Sequence, residues 1–350
     1  MNRTVQKVFL ICLSFVIVSP SSAQKDLRIL EYNVENLFDT IPEDARDDKA
    51  FLPLGEKRWN NYRYWRKIGG LCKVIAGVGG LTPPELIALC EVENGDILND
   101  LTQKTVLKRW KYKYIITHSP DRRGIDVALL YQPNSFKVIS KKSERISYNI
   151  NKEFPTRDIL HVTGEVLTGD TLDLFVCHFP SRAGGKSQTE EYRCRVAYAL
   201  RQKVDSILNV RRRPATLILG DFNDEYTDRS IAEVLRAKCS KHLIEFEDNK
   251  LYLPSSNKCL SDGIKGTYKY KGFWSQLDHA IVNGLLLRTD NCIHTSWQDC
   301  RIIDFPFLLK EDVHHGGFKP WSTYLGNYYN GGISDHLPLL IQLKLNQKQQ

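Results

Sequence analysis

Thr216-Leu217-Ile218-Leu219-Gly220-Asp221-Phe222-Asn223 decides how this chain is read. Thr216 to Gly220 is short and mostly apolar, the composition of a strand covered on both faces. It ends abruptly on an acid and, two residues later, an amide. Outward from it the same event recurs. Leu27–Tyr32 runs into Asn33, Leu86–Cys90 into Glu91, and Leu172–Cys177 into His178. Three further apolar runs begin on a polar residue instead. Asp126 precedes Val127–Tyr131, Asp278 precedes His279–Val282, and Asp335-His336 precede Leu337–Leu343. One such residue alone reads as a turn former or helix cap. Seven strand ends carrying one point further. If the second group runs antiparallel to the first, all of them gather at one edge. Carboxylates crowded there repel each other, and a divalent cation relieves that.

Between the strands, three helices are expected. Tyr62–Ala76 carries Trp65, Ile68, Cys72 and Ile75 at helical spacing. Ser187–Leu208 opens with Ser187 and Glu190, a capping box. A shorter helix is expected over Ser230–Lys238. No internal repeat or linker interrupts the alternation, which fits one compact α/β unit over residues 24–350.

Residues 1–23 are expected to be a signal peptide. Arg3 and Lys7 give a positive start, Val8–Val18 is apolar except for Ser14, and Ser21-Ser22-Ala23 offers small residues at the cut. The run is too short to span a bilayer. A secreted or periplasmic location follows as an expectation. Without Arg3 and Lys7 the chain has 47 basic against 41 acidic residues, a net +6 that suits a polyanionic substrate without requiring one. Eight cysteines follow the leader, and in an exported protein Cys239–Cys259 and Cys292–Cys300 are candidate disulfides.

Three motifs in order, Leu89-Cys90-Glu91-Val92, Gly220-Asp221-Phe222-Asn223 and Ser334-Asp335-His336-Leu337-Pro338, resemble the endonuclease/exonuclease/phosphatase superfamily, the group that includes deoxyribonuclease I. Asn33 near the start and Ser275-Gln276-Leu277-Asp278-His279 complete the set, so the resemblance covers Leu27 to Leu345. It implies a four-layer sandwich of two mixed β-sheets flanked by helices, and metal-dependent hydrolysis of phosphate esters.

The resemblance also implies roles. Glu91 is the principal metal ligand, with Asn33 and Asp335 near the metal; Cys90 stands where the family has Gln. Asp221 orients or deprotonates the attacking water, and Asn223 holds a phosphate oxygen. His336 contacts the scissile phosphate and is oriented by Asp278. His178 is the second histidine of the deoxyribonuclease-like branches, with Asp126 as its orienting partner. Arg157 and Arg182 are the phosphate-contacting arginines. Glu93, two residues from Glu91, is a supporting candidate. The ion expected from hard oxygen ligands is Mg²⁺, with Mn²⁺ or Ca²⁺ as alternatives, and one ion suffices where two histidines assist.

Two substrate classes follow, because shared chemistry does not choose between them. Nucleic acid is favoured by export, by the basic balance, and by Trp59, Arg63, Tyr64 and Lys271-Gly272-Phe273-Trp274 near the cleft. A phosphatase or lipid phosphodiesterase of the same superfamily is the alternative, with Asp304-Phe305-Pro306-Phe307-Leu308-Leu309 as its one candidate membrane-contacting segment. A binding protein that kept the fold without the chemistry is disfavoured, since no member of the polar set is missing.

Overall fold

The computed structural model describes residues 26–43, 46–149, 152–153, 155–260 and 263–346. The expected signal peptide, residues 1–23, lies outside them. Two seven-stranded sheets form the centre. In the first, the strand Leu27–Leu37 lies parallel to Leu86–Val92 on one side and antiparallel to Leu339–Leu345 on the other. Asp126–Tyr131 then pairs antiparallel with Leu86–Val92. In the second, Thr216–Asp221 lies parallel to Thr171–His178 and antiparallel to Asp278–Asn283. Both sheets are mixed, and the second group of strands does run antiparallel to the first.

The apolar runs are covered on both faces. One core holds the inward face of both sheets together with Ile68, Leu71 and Ile75 of the helix Asn61–Val78 and Ile97, Leu98 and Leu101 of Gly95–Gln103. The outer face of the second sheet, with Phe175, Cys177, Ile218 and Ile281, packs on Val196, Leu200 and Val204 of the helix Lys186–Val210. The layers are helix, sheet, sheet, helix, as the resemblance implies.

Local departures from the sequence reading have local causes. The long helix begins at Lys186 behind Gly185 (φ 119°), with no side-chain cap. Gly184 and Gly185 both have positive φ and turn the chain early, so Ser187 and Glu190 lie inside the helix and form no capping box. Ser230–Leu235 is one wide π-type turn, ended by left-handed Arg236, and Ala237–Cys239 is a strand beside Leu251–Leu253.

All eight cysteines of the described residues are free thiols, so neither candidate disulfide forms. Ile293, next to Cys292, pairs with Leu345, whereas Cys300 pairs with Ile341. Four residues of strand separate those points by about 13 Å, far beyond disulfide reach. Cys239 Sγ instead accepts from Ser256 Oγ at 3.0 Å, and Cys259 is exposed.

Gly220 is needed where it stands. Its φ is +140°, and a Cβ there would lie 1.8 Å from the Cys177 carbonyl oxygen of the neighbouring strand. Gly220→Ala is expected to destabilise the fold by about 3 kcal/mol or more, a buried backbone clash being among the severe mechanisms. Thermal unfolding measures it, and a change within experimental error would contradict this packing.

Candidate active site

The strand ends meet as the topology requires. Asp221 is registered with Asp278 on one side and His178 on the other. The first sheet supplies Asn33, Glu91 and the Ser334–His336 segment. Four of the residues around them have left-handed backbone without being glycine: Glu35 (φ 49°), Asn36 (φ 49°), Glu91 (φ 67°) and Asn223 (φ 50°). Such strain persists where surrounding structure over-determines it, and it clusters at functional sites. At Glu91 it accompanies a bulge between Cys90 and Val92, which aims the carboxylate at the cleft.

Asp221 is the hub. Its Oδ2 accepts from Asn33 Nδ2 at 3.0 Å and from Asn223 Nδ2 at 3.1 Å. His178 Nε2 stands 3.6 Å from the same oxygen and His336 Nε2 3.9 Å. Its Oδ1 accepts from the Asn223 backbone N–H at 2.8 Å. Burial raises its pKa, with Asp278 adding to the rise and His336 opposing it, to about 7.

The two histidines are set apart in charge. His336 Nδ1 lies 2.7 Å from Asp278 Oδ2. Burial opposes its charge, but Asp278, Asp221 and Asp335 outweigh burial and hold its pKa well above the ordinary value. Ser334 Oγ accepts the His336 backbone N–H at 3.0 Å and donates to the Asn33 carbonyl at 2.6 Å, and the Tyr268 ring packs 5.0 Å from the imidazole. His178 is buried, with Arg157 and Arg123 nearby, and its pKa falls well below the ordinary value. One charged and one neutral imidazole therefore flank Asp221. This division of labour is what acid–base chemistry near neutral pH uses.

Glu91 Oε2 accepts the Asn36 backbone N–H at 2.7 Å, while Oε1 faces His178 Nε2 at 3.7 Å and Arg123 Nη1 at 3.8 Å. Asp335 is raised by burial, with Glu91 adding to it against His336 and Lys67. Hard carboxylate oxygens crowded in this way suit a divalent cation. Asp221, Asp278 and His336 also bring ligand atoms within 4.8 Å of one another. That trio is a poorer cation site, because a charged imidazole already occupies it. Asn33 is engaged through Nδ2 with Asp221, and its Oδ1 accepts the Glu35 N–H at 3.0 Å, so it positions Asp221 and keeps only one lone pair free on that oxygen.

Several expected partners are elsewhere. Arg157 binds Asp121 at 3.0 Å and the Phe179 carbonyl at 2.5 Å. Arg182 binds the Asn223 carbonyl at 2.6 Å and Asp228 at 3.0 Å. Both fasten loops beside the site, and Arg157 also stands close enough to His178 to oppose its charge. Asp126 accepts from Thr117 and Ser119 rather than from His178, whose Nδ1 is buried without a partner. The bulge at Glu91 turns Glu93 away from the cleft, onto the Asp39 N–H at 2.8 Å.

The sequence reading missed four acidic or basic groups here. Glu31 is buried with neither carboxylate oxygen bonded, and burial, Asp278 and Asp221 raise its pKa well above the ordinary value. Burial and Asp335 raise Glu35 to about 8. Lys67, bonded to Thr323 at 2.9 Å and to the Glu35 carbonyl, is lowered by burial to about 8. Arg123 reaches toward Glu91. Period-two alternation places Glu31 and Glu35 on Asn33's face, and helical spacing from Tyr64 and Leu71 places Lys67 on the buried stripe.

The sequence of residues 28–345 matches the model of the endonuclease/exonuclease/phosphatase family. The chain belongs to that family. It is a hydrolase of phosphate ester bonds, and the family's members work with a metal ion. No curated protein matches the sequence. Among solved structures, an endonuclease/exonuclease/phosphatase from Bacteroides vulgatus is 15% identical with a TM-score of 0.56, covering 92% of this chain and all of its own. The mannosyl-6-phosphatase of Bacteroides thetaiotaomicron is 17% identical with a TM-score of 0.55, covering 91% of this chain and 99% of its own. D. rerio TDP2, complexed with a single-strand DNA product, is 13% identical with a TM-score of 0.53, covering 91% and 98%. At these identities the likeness is one of fold.

Asp278→Asn removes the largest influence raising His336. Its imidazolium is then expected to lose its proton at lower pH, near or below the ordinary histidine value of about 6.5. Histidine NMR titration of the metal-free protein measures this, and an unmoved His336 would contradict the pairing.

Proposed function

We propose that the chain is an exported, Mg²⁺-dependent nuclease that hydrolyses phosphodiester bonds of DNA or RNA. Glu91 and Asp335 would hold the cation, which when bound neutralises phosphoryl charge and orients the ester. Asp221, poised near neutrality and held by Asn33 and Asn223, takes the proton of the attacking water. The His336 imidazolium and the neutral His178 stand on either side of it. Each presents an N–H to the oxygens on which charge develops. Asp278 holds His336 charged and in place. Mn²⁺ or Ca²⁺ would suit the same oxygens.

The observation that carries the nuclease reading is the hairpin Tyr268–Tyr270/Phe273–Ser275 beside the site. Tyr268 packs on His336, while Tyr270 and Phe273 are 60% and 79% exposed, with Lys271 between them. Exposed aromatics next to a cation are what unpaired bases stack on. Trp59, Arg63 and Tyr64 do not add to this surface. Trp59 is buried and donates to the Phe38 carbonyl, Tyr64 donates to Asp100, and Arg63 stacks on Tyr329. The DNA product bound by TDP2 agrees with the reading, and the mannosyl-6-phosphatase of the same fold marks the phosphatase alternative. The lipid version loses its contact segment, since Leu308 is buried, Phe305 packs on Gly77, and Phe307 lies under Lys73 of the same helix. Export rests on the leader at residues 1–23.

Purified residues 24–350 are expected to cleave plasmid DNA or RNA with Mg²⁺ and not with EDTA. His336→Ala is expected to lower kcat by about a thousandfold, as loss of a charged donor to a developing oxyanion does. Hydrolysis of sphingomyelin or a sugar phosphate, with no nucleic acid cleaved under any metal, would overturn the nuclease reading and leave the hydrolase in place.

A further inference from the structure

A groove of about 810 Å³ opens between the segment Arg46–Lys49 and the loop His118–Arg122. It is no part of the chemistry above, yet it borders it. Arg123 follows Arg122 directly, is 46% exposed, and holds its Nη1 3.8 Å from Glu91 Oε1. One residue therefore links the groove's lining at Arg122 to the Glu91 carboxylate. Its two walls are joined, since the Asp47 backbone N–H donates to the Arg122 carbonyl at 3.3 Å.

The charges in the groove are unequally spent. Asp121 is committed to Arg157 at 3.0 Å. Arg46 is committed to Glu43 at 2.9 Å and to the Gly124 and Glu93 carbonyls. Lys49 and Arg122 are exposed and pair with no carboxylate among the described residues. Only Asp47 offsets them along the lining. Two free cations beside a third, Arg123, make a positive strip ending at the active site. An ester with a single phosphate offers no second phosphate to this strip. A polynucleotide carries another phosphate at every nucleotide, and contacts with those phosphates dominate its affinity.

We propose that Lys49 and Arg122 form a subsite for a backbone phosphate flanking the scissile one, with Arg123 bridging from it to the cleft. The enzyme would then prefer oligonucleotides to isolated phosphate esters. This rests on the nuclease reading and deepens it.

The test compares hydrolysis of a 12-nucleotide single strand and of bis(p-nitrophenyl) phosphate by residues 24–350 with Mg²⁺, over a range of salt. The Lys49→Glu/Arg122→Glu double variant is measured beside Arg212→Glu. Arg212 is another exposed arginine, just before Thr216 and so at the opposite end of that strand from Asp221. The double variant is expected to raise the oligonucleotide KM about tenfold, a loss of about one decade of binding. The slope of log kcat/KM against log salt should become shallower by about 0.7, the share of one phosphate contact on a single strand. Its preference for oligonucleotide over the small diester should fall by the same decade, and Arg212→Glu should show none of these changes. An unchanged oligonucleotide KM and salt slope in the double variant, with wild type cleaving the strand, overturns the groove and spares the nuclease reading. Equal losses in Arg212→Glu reduce the effect to general charge and also overturn the groove. Wild type that hydrolyses the small diester but not the strand overturns both.

Discussion

One carboxylate oxygen organises this molecule. Asp221 Oδ2 receives Asn33 from the opposite sheet, Asn223 from its own turn, and faces an imidazole on either side. The Asn33 bond joins residues 188 apart in sequence and ties the edge of one sheet to the other at the candidate site. A buried carboxylate without such donors would be costly. With them it is tolerated, and burial leaves it a base near neutrality rather than a permanently charged acid.

The same edge packs negative charge closely. Lys67, His336 and Arg123 stand against Glu91, Asp335, Asp221 and Asp278, with Glu31 and Glu35 pushed toward the neutral form. The system divides the load by protonating the deepest acids and charging His336, and a divalent cation at Glu91 and Asp335 would take up the remainder. His178 is the counterweight. Its burial, and then the arginines beside it, keep it neutral, so the site holds a charged and an uncharged N–H donor together.

Much of this was legible in the sequence because strand ends are easy to see. Short apolar runs stopped by Asn33, Glu91, His178 and Asp221 placed the cleft, and the order of the motifs placed the fold. What escaped depended on backbone detail or on long-range partners. Alternation alone put Glu93 beside Glu91, and the bulge at Glu91 undid it. The phosphate roles of Arg157 and Arg182 came from the resemblance and from residue type, and neither could show that each arginine also holds a backbone carbonyl and an aspartate. The disulfides were paired by proximity in sequence; the registers along the Leu339–Leu345 strand forbid Cys292–Cys300, and Cys239 faces Ser256 instead of Cys259. Glu31 and Lys67 carried the signal of polar residues at apolar positions, yet only the packing of two sheets and a helix shows what they face.

Asp221 can act as the base only if its carboxyl titrates near neutrality. Its side-chain carboxyl, followed by carbon NMR through a pH titration of the metal-free protein, tests this most directly. A transition near pH 7 is the predicted result, and one at the ordinary aspartate value of about 3.9 would contradict the account.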